Sequence, residues 1–113
     1  MKITLISTAT FPSDQGIRTI SSVLKKAVHT IKLLFMAYSE DYSKLYEKKE
    51  LKQAFQLCKD SELIGISSYT STAPRAIQIT KFLKKGLNIP IVWGGIHPTI
   101  FPEDCIKHVD IVC

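Results

Sequence analysis

Cysteine, glycine-rich loops and long apolar runs are all scarce in this sequence, and each shortage removes a class of function. The three cysteines, Cys58, Cys105 and Cys113, are odd in number and far apart. They form no CxxC pair and no disulfide frame, which points to a reducing compartment and away from a structural metal site. No apolar run approaches membrane-spanning length, and the opening MKITLIS is too short in apolar residues for a signal-peptide core. A cytoplasmic address without a membrane span is therefore expected. The net charge is +5, but the basic residues are scattered rather than gathered in one block. They read as solvated faces, and no nucleic-acid partner is expected.

Several ligand motifs are missing as well. A dinucleotide site needs GxGxxG between a strand and a helix, and the loop STATFPSDQG supplies only Gly16. The phosphate-cradling GxxxxGK[ST] does not occur. A phospho-receiver would need acidic residues ending the first strand and an aspartate ending the third, where Ser7-Thr8 and Ser67-Ser68 stand instead. A flavodoxin-like electron carrier, with flavin phosphate on the hydroxyls of STAT, stays open as an alternative.

What is present is a regular alternation. KITLIS (2–7), TIKLLFM (30–36), LIGISS (63–68), 89–93 and VDIVC (109–113) are short apolar runs typical of buried strands. Between them lie helical spacings: Ile17, Ile20, Val23, Leu24 and Ala27, then Leu51, Ala54, Phe55 and Cys58, then Ala76, Ile77, Thr80 and Leu83. Thr72 is placed as N-cap of the third helix with Pro74 in its first turn, and Gly86 as its C′ stop. One or two helical turns are expected near Pro102, and 37–47 reads as a long loop. Strands alternating with helices over 113 residues make one domain. The expected fold is α/β and doubly wound, a flavodoxin-like parallel sheet of order 2-1-3-4-5. The sequence stops inside the last strand with no helix after it. An uncovered apolar patch is expected there, available to further chain, to a partner or to self-association.

In such a sheet the loops after strands one, three and four meet at the carboxyl edge, where ligands bind. Here they carry Gly16, SSYTST and GGIHPTIFPED. A hydroxyl can meet a buried polar tail, and a glycine pair leaves backbone bare where a flat ring must lie. The stretch WGGIHPT, the pair Pro102-Glu103, VDIVC and the helix GIRTISSVLKKA together resemble the amino-terminal cobalamin-binding domain of cobalamin-dependent radical SAM enzymes. In that family Ser-x-Leu and Gly-Gly elements line a slot for the cofactor's nucleotide tail. Ser67-Ser68-Tyr69 is similar to the first, with an aromatic in place of leucine, and Gly94-Gly95 to the second.

The resemblance implies cobalamin as cofactor, with Ser13, Gly16, Ser67, Tyr69, Thr70, Gly94, Gly95 and His97 as candidate contacts. Many family members carry Asp-x-His-x-x-Gly, whose histidine ligates cobalt. With its glycine on Gly16, Phe11 takes the aspartate position and Ser13 the histidine position. Any bound cobalamin is therefore expected to lack a protein imidazole below the metal. The family's CxxxCxxC is absent too. The [4Fe–4S] cluster and S-adenosylmethionine would belong to a barrel domain outside these residues, with methyl transfer or oxidative ring closure as the implied chemistry. The residues alone leave alternatives open. His97 reads equally as a loop histidine bonded to backbone, and the glycines as a turn needing positive φ. A cobalamin-free docking module also remains.

Overall fold

The computed structural model describes residues 1–9, 15–36 and 44–113. Strands β1 (Lys2–Ser7), β2 (Thr30–Phe35), β3 (Leu63–Ser67), β4 (Ile91–Gly94) and β5 (Ile111–Val112) form one sheet, ordered β2-β1-β3-β4-β5. All four pairings are parallel. Helices α1 (Gln15–Lys26), α2 (Lys48–Cys58) and α3 (Ala73–Lys84) connect them, followed by the short α4 (Ile96–Ile100) and α5 (Pro102–Cys105). This is the doubly wound, flavodoxin-like α/β order expected from the alternation of strands and helices. None of the described helices is long and apolar enough to cross a membrane.

Because successive strand residues point to opposite faces, each buried strand feeds two layers. Ile6, Ile64, Ile66, Ile91 and Trp93 pack with Leu51, Ala54, Ala76, Ile79 and Leu83 into the main core beneath α2 and α3. Each such fully buried side chain contributes roughly 1.5–3 kcal/mol. Ile3 and Leu5 turn the other way and pack with Ile17 of α1 in a smaller cluster. Gly65 lies on this second face, where a Cβ would stand 2.7 Å from Leu5 Cδ2. A side chain there would push Leu5 out of the small core.

The second face is only partly covered. Helix α1 packs over β1 and β2. Further along the same face Val92 is half-buried and its register partner Ile111 is 48% exposed. The apolar face of α1 is also wider than its seat. Ile17 is buried and Leu24 partly so, while Ile20 and Val23 face solvent. The apolar patch expected of the last strand therefore runs over β4 and β5, and α1 presents two further apolar side chains to solvent.

Two chain reversals differ from expectation in their physics. Gly86 does follow α3, but its φ is not positive. A Cβ there would meet the Phe55 ring at 2.6 Å, so close approach of α2 requires the glycine, not a left-handed cap. The left-handed cap occurs instead after α1, at Val28, with φ +67°. A β-branched residue in that region is strained by about 1–3 kcal/mol. Val28 is 90% exposed, so removing its side chain forfeits no packing. Val28→Gly is expected to stabilise the protein by about 1 kcal/mol, after the extra chain entropy of glycine is subtracted. A urea midpoint that rises with unchanged slope is the expected reading. A fall would mean that Val28 makes a contact worth more than its strain.

Candidate functional site

The carboxyl ends of the strands are fixed in register by the sheet. Ser7 pairs with Phe35 on one side and Ser67 on the other, and Ser67 pairs with Gly94. Counting by twos from Leu5, Gly65 and Val92, residues Ser7, Ser67 and Gly94 all stand on the partly covered face. Gly16 lies in the first turn of α1, which follows β1 at this edge, and it is exposed. Ser13 lies outside the described residues.

The β3 turn is tied to its neighbours through backbone. Ser68 donates its N–H to Gly94 O at 2.9 Å, and Ser68 O accepts the His97 N–H at 3.1 Å. Ser68 is fully buried, Tyr69 is half-buried and Thr70 is exposed. Thr72 occupies the N-cap position of α3 as expected, yet its hydroxyl makes no cap hydrogen bond. It turns back instead, accepting Tyr69 N–H at 3.1 Å and meeting Thr8 Oγ1 at 2.8 Å. Thr8 in turn donates to Ser67 O at 2.6 Å. Neither Thr8 nor Thr72 belongs to the site set read from the sequence. The available signal was a hydroxyl directly after a buried strand, which by itself does not distinguish a site from a cap.

The two glycines serve different purposes. Gly95 has φ +105° and ψ −166°, a conformation open essentially to glycine alone, and it opens α4. A Cβ there would lie 2.8 Å from Ser68 O. The turn reading therefore holds for Gly95. Gly94 has no positive φ, and a Cβ built on it meets nothing within 4 Å among the described residues. Bare backbone thus lies clear of the described residues at the register partner of Ser67, whose hydroxyl stands 3.5 Å from where a Gly95 Cβ would be. That combination fits a flat, partly polar guest lying against the strand ends.

His97 is in α4 rather than in a loop. Its ring packs against Phe101 with centroids 5.3 Å apart, and its buried Nδ1 has no hydrogen-bond partner among the described residues. Trp93, in contrast, belongs to the core. It is fully buried, stacks on His108 and donates Nε1–H to Thr80 Oγ1 at 2.9 Å. A cavity of about 280 Å³ opens at the junction of α4 and α5, lined by Ile100, Phe101, Pro102, Glu103 and Asp104. Its two charged side chains, Glu103 and Asp104, are both acidic.

The two buried cysteines are not poised as nucleophiles. Cys58 and Cys105 are fully buried; burial pushes the Cys58 thiol up to about 11 and raises that of Cys105 as well. Both are therefore thiols at neutral pH and serve as core residues. Among the described residues no cluster of three His, Cys, Asp or Glu could hold a metal ion. What the rim offers is shape, hydroxyls and amides.

The family model described as the B12 binding domain matches residues 1–113. The anaerobic magnesium-protoporphyrin IX monomethyl ester cyclase of Synechocystis sp. is 30% identical over 92 residues, which is 80% of this chain and 18% of that protein. The chain thus spans about a fifth of the length of that relative.

Proposed function

The chain belongs to the B12-binding domain family, and we propose that it holds cobalamin at the carboxyl edge of its sheet, on the rim built by Ser67, Tyr69, Gly94 and Gly95. The observation that carries this is the space over Gly94, which no described residue enters within 4 Å, at the strand-end pair it forms with Ser67. Ser67 meets the polar part of the nucleotide tail, and the bare Gly94 backbone lets its planar base lie close. Gly16, Thr70 and His97 complete the candidate contact set, together with Ser13, which lies outside the described residues. Cobalamin supplies an alkyl-carrying, redox-active cobalt centre; the protein supplies its seat and orientation.

The whole protein is proposed to be a radical SAM enzyme working in the cytoplasm. Its barrel domain would hold the [4Fe–4S] cluster and S-adenosylmethionine beyond these residues. Two things support this: the WGGIHPT pattern, and similarity to a relative named as a cyclase. That name favours oxidative ring closure over methyl transfer as the chemistry served. The half-covered face bearing Val92 and Ile111 is then the surface for a neighbouring domain or, in its absence, for self-association.

Titration with hydroxocobalamin tests the reading. A stoichiometric, red-shifted spectrum is the expected result, and no spectral change at high micromolar cofactor would leave a docking module. On reduction, the bound cobalt is expected to show no hyperfine splitting from a histidine nitrogen, because Ser13 stands where the family's ligand histidine would be. A cobalt–histidine signal in electron paramagnetic resonance would overturn that part of the proposal.

A further inference from the structure

We infer that Thr8 and Thr72 form a one-way hydroxyl clamp that sets the Ser67–Tyr69 turn for cofactor binding, making them positioning residues of the site. The inference rests on the cobalamin reading above but is argued from separate atoms. Thr8 is fully buried and Thr72 is 1% exposed. Each hydroxyl has a single proton, so the direction of every bond can be assigned. Ser67 O is a carbonyl and can only accept, so the Thr8 proton goes to it at 2.6 Å. The single Thr72 proton then has two acceptors in reach, Thr8 Oγ1 at 2.8 Å and Tyr69 O at 3.3 Å, and the shorter bond makes Thr72 the donor to Thr8. The Thr72 oxygen is left to accept the Tyr69 N–H at 3.1 Å.

The chain runs Tyr69 N–H to Thr72 O–H to Thr8 O–H to Ser67 C=O. It begins and ends within three residues of one turn and passes through the loop after β1 on the way. Ser67 and Tyr69 flank that turn, so their placement depends on a hydroxyl from the loop after β1. Bonds aligned in this way polarise one another, and burial removes competition from water. A chain of this kind fixes a conformation more firmly than its separate bonds would.

Thr4 provides a matched control. It lies in β1, the strand that leads into Thr8, and is 1% exposed, but its hydroxyl bonds to Ser61 near the start of β3, away from the rim. Four variants are compared: Thr8→Val, Thr8→Ser, Thr72→Val and Thr4→Val. Each is measured by amide hydrogen exchange without ligand and by hydroxocobalamin titration. Thr8→Val and Thr72→Val are expected to speed exchange at the Tyr69 amide and to weaken cofactor binding about five- to tenfold, the equivalent of one or two buried hydrogen bonds. Thr8→Ser should restore both readings, and Thr4→Val should disturb neither even where it lowers the melting temperature. Unchanged Tyr69 exchange in both valine variants would overturn the clamp. Binding lost equally in Thr4→Val would do the same. If the wild type takes up no cobalamin, the proposed function fails, and the exchange rates alone still decide whether the clamp exists.

Discussion

Gly94→Ala is expected to leave the melting temperature within about 2 °C of wild type while weakening cobalamin binding about tenfold or more. The neighbouring Gly95→Ala should do the reverse in emphasis, unfolding the rim before any ligand is added. Two consecutive glycines therefore separate binding from folding. At Gly94 the backbone needs no special φ and the added methyl meets no atom of the described residues within 4 Å. Alanine also reduces the entropy of the unfolded chain, so stability holds or rises slightly. A methyl group in a slot meant for a flat ring is an overpacking defect, worth about 1–3 kcal/mol.

At Gly95 the φ of +105° is itself costly for any L-residue, and the methyl would lie 2.8 Å from Ser68 O. Relief requires the β3 turn to move, and Ser68 is held there by Gly94 O and His97 N. The expected loss is about 2–5 kcal/mol. Thermal unfolding and hydroxocobalamin titration on both variants give the comparison. If Gly94→Ala binds cofactor like wild type, the open space over Gly94 is not the seat.

Much of this molecule is written plainly in the chain, and the exceptions share a cause. The strands are legible because LIS, LLF and IGI are apolar on both faces, as only a sheet covered on two sides requires. Helix α3 is legible from Ala76, Thr80 and Leu83. Its Arg75 is not: an arginine at the start of a helix looks solvated, yet it is 1% exposed and donates Nε–H to Lys44 O at 2.8 Å. Gln78, three residues on, pairs with Tyr46 backbone in both directions. These partners lie about 30 residues away, and no local period reports them.

The same holds at the rim. Gly94 and Gly95 are identical letters, and only the position of Ser68 tells which one is a turn and which one is a floor. Thr72 satisfies every local rule for a helix cap, but a hydroxyl brought in by β1 competes for it and wins. Helix α4 hides behind a glycine pair and a proline. Pro98 falls within its first turn, where the missing N–H has no partner to lose. Short-range pattern thus locates the site's loops, while long-range register decides which atoms face the guest.

Trp93→Ala is expected to produce the largest loss of stability in the protein, about 3–5 kcal/mol, through one residue adjoining the rim. The indole is fully buried between α3 and His108, whose ring lies 6.0 Å away at 20°. Its N–H is satisfied by Thr80 Oγ1, which itself donates to Ala76 O at 2.7 Å. The Thr80 proton is therefore committed to the helix, leaving its oxygen free to receive the indole. This makes Thr80→Val worse than its near-identical shape suggests. It strands a buried indole N–H, at a cost of about 1–3 kcal/mol.

In Trp93→Phe, which has no N–H to strand, Thr80→Val should cost less than it does beside tryptophan, with a coupling of about 1 kcal/mol between the two sites. Denaturant unfolding of the two single variants and the double variant measures it. Strand β4 ends one residue after Trp93, at the glycine whose open side forms the proposed seat, so the loosened variants should also bind cobalamin more weakly. Additive effects would mean that the hydrogen bond contributes nothing and that the indole is held by packing alone. A Trp93→Ala loss below about 1 kcal/mol would mean that the face under α3 is not organised around this ring.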